Sequence, residues 1–476
     1  MWVRNYLLAL SACALQATAI EPTGTDHLSP RATKAIELNK GWRSLSENVL
    51  SKPYDPERYP DGIINLGLAE NWLIQKELAQ YLEDHFTIDP LVHMTYGEGA
   101  AGSPRLRKAL AEFFNDYFNP TSPVHDYEII VSSGVTSLID SIAWNTCSDN
   151  EGIIIPQPLY NGFPSDIDLR SSAKLLNASY LWEDHEYNLD DVFDPVMIRK
   201  SLDRAWDEYA ADGVAIRAVM IANPHNPLGR PYSEEGLLEI ARFCGEHDIH
   251  FVSDEIYANS VFDNGEEVQP PAFTSALSLN LDGIINPELV HVLYGMSKDF
   301  GVSGFRLGAL VSRNENLIQA AFGLDLLSWP SYIAQDMWAG LLEDKPKTKY
   351  FLDANVQRLG DAYGNITEWL DAKQIDYYHD GNAALFIWTH LIPADSTVTP
   401  EDLIAECRAN GVNVGDGRNF LAEGEPGWFR LTFSYPTDML LLGLERLEEV
   451  LTGFGLLSNG NEGRPERPAR PGHSRE

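Results

Sequence analysis

Between Glu128 and Arg313 the sequence alternates short apolar runs with helical stretches, and this rhythm restricts the fold more than any other feature. The runs are EIIVSS, GIIIP, AKLLNASY, RAVMIAN, HFVSDEI, HVLYGMS and GALVSR. A run that is apolar on both faces must be covered on both, and helical stretches such as Glu234 to His247 stand between the runs. The pattern predicts an α/β fold with a mostly parallel central sheet sheathed on both sides. Ligand chemistry then belongs at the strand ends. Beyond Pro330 the rhythm changes to long helices, Tyr332 to Leu342 and Thr348 to Lys373, followed by ALFIWTHL, a helix from Glu401 to Asn410, the strand FRLTFS and a last helix to about Leu451. That reads as a smaller α+β domain. The expected divisions are an N-terminal leader or extension over 1–27, a segment over 28–75, a large domain over 76–329, a small domain over 330–457 and a disordered tail over 458–476.

Composition narrows the partners. At 476 residues and 44% hydrophobic, the chain can bury a large core, and a formal charge of -35 repels nucleic acid and anionic lipid surfaces. Neither is expected as a partner. Cys13, Cys147, Cys244 and Cys407 lie far apart with no CxxC pair, so buried thiols are expected rather than a metal site or a disulfide framework. Residues 1–20 carry Arg4, an apolar run from Tyr6 to Leu15 and the small-residue triplet Ala17, Thr18, Ala19, which is a signal-peptide pattern. Sequons at Asn177 and Asn365 fit export, but Asn365 falls within a predicted helix and loss of Cys13 leaves an odd cysteine count. A cytoplasmic location is favoured, with the secretory route as the alternative. No stretch has the roughly 18 apolar residues that a membrane span needs.

The stretch TYGEGAAGSPRLRKAL places Gly97, Gly99 and Gly102 at the spacing G-x-G-x-x-G before a helical run. A dinucleotide site also requires a hydrophobic strand beforehand and an acidic residue about 20 positions later. Leu91 to Thr95 is a poor strand behind Pro90, and the later position is the turn Pro120 to Pro123. The spacing reads as a glycine-rich turn feeding a helix.

Chemistry concentrates at the strand ends. In YGMSKDFGVSGFRLGALVSR, Lys298 follows a strand and Arg306 comes eight residues later. An aldehyde cofactor such as pyridoxal phosphate (PLP) needs a lysine for the imine and a planar cation that grips phosphate oxygens. In HFVSDEIY, Asp254 and Tyr257 end a buried strand, where the carboxylate can keep a pyridine nitrogen protonated and the tyrosine can bond a phenolic oxygen. Asn226 in NPHNPLG supplies a second donor for that oxygen. SSGVT opens a helix whose N–H groups at Val135 and Thr136 can take a phosphate, and Tyr160 in PLYNGF can stack on a flat ring.

Taken together, GLAEN, the Tyr96 loop with LRKAL, SGVT, PLYNGF, NPHNPLG, SDEIY, SKDFGVSGFRLG and PGWFR resemble, in order, the motifs of a fold type I PLP enzyme of the class I and II aminotransferase family. The resemblance runs from about Leu28 to Leu451. It implies that Lys298 is the imine lysine, Asp254 the pyridine partner, Tyr257 and Asn226 the ligands of the phenolic oxygen, and Arg306 and Thr136 the phosphate ligands. Arg430 in PGWFR is similar to the arginine that clamps a substrate α-carboxylate. Tyr96 matches a tyrosine that enters the partner subunit's site, which implies a homodimer with shared active sites.

The phrases GLAENWL, NPHNPLG, SDEIY and PGWFR resemble most closely the 1-aminocyclopropane-1-carboxylate (ACC) synthase-like branch, in which Glu70 corresponds to an active-site glutamate. Two features depart from a true ACC synthase. The loop after Tyr96 is longer, and Gly295 stands where a serine precedes the lysine by three residues, which leaves more of the phosphate to Arg306, Thr136 and Ser297. The reaction expected is amino transfer from an α-amino acid to a 2-oxo acid through a Lys298 Schiff base. The alternatives are a C–S or β-elimination lyase, an ACC synthase, or a non-catalytic PLP-fold binding protein. Glu70 either faces the substrate or caps a helix beginning near Leu73.

Overall fold

The structure, a computed structural model, describes residues 27–266, 269–424 and 426–457. The signal-like residues 1–20 and the tail 458–476 lie outside the described residues. Residues up to Glu47 form one unit, in which Ser29 caps the helix Pro30–Leu38 and a short helix, Lys40–Leu45, follows. The second unit begins at Asn48 and carries every strand found among the described residues.

Counting from a short strand β1 (Ile64–Asn65), the seven apolar runs become β2 (Ile129–Ser132), β3 (Gly152–Pro156), β4 (Lys174–Ala178), β5 (Ile216–Ala222), β6 (His250–Asp254), β7 (Val290–Gly295) and β8 (Gly308–Ser312). They form one sheet in the order β2-β8-β7-β6-β5-β3-β4. Side chains alternate between two cores, as the two-residue period of a strand requires: Ile153, Met220, Val252, Leu293 and Leu310 on one face, Ile154, Val219, Phe251, Val292 and Val311 on the other. Except in the edge strand β4 and at Arg217, both faces are buried, which is why most of the runs lack polar alternation. The pairs from β4 through β7 are parallel. β8 runs antiparallel to both β7 and β2. Its reversal has a local cause. The connection from Met296 to Leu307 holds only the single 3-10 turn Ser303–Phe305, too little chain for a helical crossover to a parallel strand. The segment that bears Lys298 and Arg306 is therefore a tight return, and it brings the start of β8 to the edge where β2, β5, β6 and β7 end.

Beyond the sheet, the helix Glu315–Ser328 was not anticipated, because ENLIQAAFGLDLLS is apolar nearly all round. The expected helices appear as Tyr332–Glu343, Lys345–Ala372, Pro400–Ala409 and Thr437–Gly453. The second starts earlier than expected because Asp344 caps the N–H of Lys347 with Pro346 in the first turn. An antiparallel sheet runs in the order β12 (Gly415–Asp416), β13 (Trp428–Thr432), β10 (Phe386–His390), β9 (Asp376–Tyr377), and β1 pairs in parallel with β11 (Val412–Asn413). Leu91 to Thr95 is no strand. Asp89 and Pro90 start the short helix Pro90–His93 there. Cys147, Cys244 and Cys407 are buried and free. Asn177 lies within β4 with its side-chain oxygen closed to solvent, and Asn365 within the helix Lys345–Ala372, so neither sequon sits on a loop. No helix among the described residues is long and apolar enough to cross a membrane.

Trp338 is fully buried in the core, and its indole N–H has no hydrogen-bond partner among the described residues. Trp338→Ala is expected to cost about 3–5 kcal/mol of unfolding free energy, and Trp338→Phe about 1–2 kcal/mol, because the ring is largely kept and an unpaired donor removed. Denaturant melts of the two variants measure the difference, and equal losses would contradict this packing.

Candidate active site

The chain leaves β2 at Ser132 and turns through Gly134, at φ +89, into the helix Val135–Thr146. A Cβ on Gly134 would lie 2.6 Å from Nη2 of Arg306, so only glycine lets that guanidinium rest on the helix start. Arg306, itself left-handed at φ +54, donates from Nη1 to the Ser303 carbonyl at 2.9 Å. Free N–H groups at Val135 and Thr136 beneath a planar cation make an anion cradle. Ser297 is buried close by in the chain. The glycine in place of a serine at position 295 has a steric reason, since a Cβ there would sit 2.7 Å from the Leu307 carbonyl oxygen.

Asp254 ends β6, buried, and accepts from the Ile256 N–H at 3.2 Å. Burial pushes its pKa up to about 7, outweighing the opposing pull of Lys298. Tyr257, 2% exposed, meets Phe386 edge-on at 5.5 Å, and burial raises its phenol well above the usual range. Tyr160 follows β3 and, with Asn226, His225 and Tyr232, lines one small cavity.

Lys298 lies just past β7, and its Nζ donates to the Ala69 carbonyl at 2.6 Å. Burial lowers its pKa to about 8; Arg430 and Arg306 add to the shift, and Glu70 and Asp254 oppose it. An amine in that range is partly neutral near physiological pH and can act as a nucleophile or base.

Arg430 on β13 is 3% exposed. Its Nη1 donates to Asn226 Oδ1 at 2.9 Å and its Nη2 to the Gly67 carbonyl at 3.0 Å, while the rings of Phe386 and Phe420 lie 4.5 and 4.8 Å from the guanidinium carbon. Its Nε has no partner among the described residues, and none of its hydrogen-bond acceptors carries a charge. A buried cation in neutral company is a site for an anion.

Glu70 does not cap a helix. The helix Gln75–His85 starts later than expected, with Ile74 at its cap and no side-chain cap bond, whereas Glu70 Oε1 lies 3.5 Å from the Ser303 hydroxyl as its acceptor. Tyr96 stands apart from this group, 85% exposed, its ring 5.9 Å from that of Trp329. Sequence reading missed the Ala69 and Gly67 carbonyls, which have no side-chain signature, and the aromatic pair around Arg430.

Residues 95–447 match the family described as aminotransferase class I and II. The chain belongs to that family. Among its relatives, a probable aminotransferase, aclI, of Aspergillus oryzae is 34% identical over 82% of this chain and 90% of its own length. The ACC synthase-like protein 1 of Mus musculus is 31% identical over 87% of this chain and 81% of its own. Among solved structures, the aspartate aminotransferase of Thermus thermophilus with maleate shares the fold at a TM-score of 0.65, with 20% identity over 89% of this chain and 99% of that one. The aromatic aminotransferase of Pyrococcus horikoshii does so at 0.65, with 22% identity over 87% and 100%. The family is PLP-dependent, and this chain is a PLP-dependent enzyme of the class I/II aminotransferase type. The donor set fits: an anion cradle, a buried acid and a buried amine of lowered basicity meet at one sheet edge.

Because Asp254 binds protons more tightly folded, near 7, than unfolded, near its ordinary 3.8, its contribution to stability falls as pH rises through that window. Asp166 and Asp299, raised by burial to about 7 and about 6, act with the same sign. His225, His250 and His291, whose pKa values burial lowers, act with the opposite sign, so the comparison that isolates Asp254 is between proteins: relative to wild type, cofactor-free Asp254→Asn is expected to gain melting temperature between about pH 5 and about pH 7.5. Calorimetry across that range tests it; an unchanged slope in the variant would show that Asp254 is not held as a buried acid.

Proposed function

We propose that the protein moves the amino group of an α-amino acid to a 2-oxo acid, with Lys298 as the residue that holds the cofactor and carries the proton. The observation that supports this best is the pairing of a lysine of lowered basicity with Arg430, a buried cation that lacks an anionic partner among the described residues. Bound PLP supplies an aldehyde carbon for amine exchange and a ring that draws electrons from the substrate's Cα. The remaining roles belong to the chain. Asp254 would pair with the ring nitrogen, Tyr257 and Asn226 with its phenolic oxygen, and Tyr160 would stack on the ring. Arg306, Ser297 and the N–H groups of Val135 and Thr136 would hold the phosphate. Arg430 orients the substrate through its α-carboxylate by exchanging its two neutral acceptors for a charged one. Lys298 would hold the cofactor through Nζ, and the same Nζ, of lowered basicity, would take the Cα proton of a bound substrate. Residues 76–329 form the cofactor-bearing domain in this reading and 330–457 the smaller one.

A second reading is elimination, either of a β-sulfur group or of a γ-sulfonium to give ACC. It is supported by relatives named as ACC synthases, including ACC synthase 7 of Arabidopsis thaliana, 29% identical over 86% of this chain. Glu70 beside Lys298 also favours it, since a carboxylate there suits a cationic or hydrogen-bond-donating substrate and disfavours an acidic one. Incubation of purified protein and PLP with acidic, neutral and basic amino acids, with and without a 2-oxo acid, separates the readings. New amino acid formed only with the 2-oxo acid is the expected result. Pyruvate with ammonia, or ACC, would overturn amino transfer. Lys298→Ala is expected to lower turnover by roughly 10³-fold or more.

Tyr96, Leu91, Met94, Leu326 and Leu327 leave large apolar groups 57–85% exposed on this chain. We infer a homodimer in which Tyr96 reaches the partner's cofactor phosphate. Mixing inactive Lys298→Ala with impaired Tyr96→Phe subunits is expected to restore up to about a quarter of wild-type activity, since random pairing leaves one intact site in half the dimers. No recovery under verified subunit exchange would show that each chain completes its own site.

A further inference from the structure

The stretch Gly67–Gln75 is stitched to the loop that bears Lys298. The amide of Asn71, 1% exposed, spends both hydrogens, Nδ2 donating to the Lys298 carbonyl at 2.9 Å and to Asn355 Oδ1 at 2.6 Å. Its Oδ1 accepts from the Leu73 N–H at 3.1 Å, which fixes the orientation of the amide. Gln75 Nε2 donates to the Gly301 carbonyl at 2.9 Å, and the Asn71 carbonyl comes so near Gly301 that a Cβ there would lie 2.7 Å away. On the other side of the lysine, Asp299 accepts from the Asn259 N–H and the Tyr294 hydroxyl, each at 2.9 Å, and from Ser260. The main chain of Lys298 is thus anchored on both flanks.

From that fixed root, Nζ reaches the carbonyl of Ala69, only two residues from Asn71. One five-residue stretch, GLAEN, therefore supplies both the donor that holds the lysine's carbonyl and the acceptor that holds its amine. A lysine side chain has four carbons of rotational freedom, so an acceptor is reached dependably only if the root cannot move.

We propose that Asn71 is a positioning residue for Lys298, fixing the lysine's main chain so that its free amine docks on the Ala69 carbonyl whenever it is not joined to the cofactor. The proposal rests on the cofactor reading given above. It assigns Asn71 no contact with cofactor or substrate. The lysine is instead returned to one place each time it is released, at a distance set by a short piece of chain.

Asn71→Ser tests this, because a serine hydroxyl can still accept from the Leu73 N–H but is too short to reach the Lys298 carbonyl. Two compounds separate the roles. Pyridoxamine phosphate has no aldehyde and needs no lysine amine to bind, whereas PLP is captured by Lys298 and can be fixed there by borohydride and counted by mass spectrometry. In Asn71→Ser the affinity for pyridoxamine phosphate is expected to stay within about twofold of wild type, while capture of PLP slows roughly tenfold and the pH midpoint of the visible absorbance band shifts. Asn355→Ala, which removes the far anchor of Asn71, is expected to slow capture in the same direction by a smaller factor and decides the matter if Asn71→Ser does not fold. Wild-type capture and midpoint in the folded variants, with only the melting temperature lowered, would overturn the proposal. Failure of the wild-type protein to bind either compound would overturn the cofactor reading itself.

Discussion

Three stretches of main chain meet where the ends of β2 and β7 face the start of β8, and side chains are excluded from the junction. A Cβ on Gly308 would lie 2.7 Å from both the Gly134 carbonyl carbon and the Val135 nitrogen, and Gly295 and Gly308 are paired across the antiparallel ladder. This contact joins the helix that opens the anion cradle to the return that carries Lys298 and Arg306. Were the backbones held apart by even a methyl group, the arginine could not lie over the helix start. The same geometry gives position 295 its reason to be a glycine.

The sheet was legible in the sequence because its strands are buried on both faces and therefore appear as uninterrupted apolar runs. The helix Glu234–His247 was legible because its apolar residues recur on one face between Ser233, its cap, and a polar end. The helix Glu315–Ser328 was hidden by the same logic, since a helix apolar nearly all round gives no periodic signal. In the site, residues whose side chains carry the chemistry stood out: Lys298, Arg306, Asp254 and Arg430. What stayed hidden were main-chain groups. The carbonyls of Gly67 and Ala69 act through backbone that any residue would provide, and their roles follow from where β1 and the stretch after it are laid down, beside β11 and β13.

Charge is distributed against the average. The chain carries a formal charge of -35, yet Lys298, Arg306 and Arg430 converge at one sheet edge. Burial lowers the basicity of Lys298 and Arg430 and raises that of Asp254, so within the site desolvation outweighs pairing. Charges removed from water in this way act on one another through a less polarisable medium, so attraction between an anion and these buried cations is screened less than at the acidic surface.

Arg430 already donates to Asn226 and Gly67, while its Nε has no partner among the described residues. Under the role proposed for it, a carboxylate that displaced those two acceptors would trade hydrogen bonds nearly one for one, and a neutral competitor could do the same. What only the carboxylate adds is its charge. Selectivity for the acid would then rest on electrostatics more than on the count of bonds.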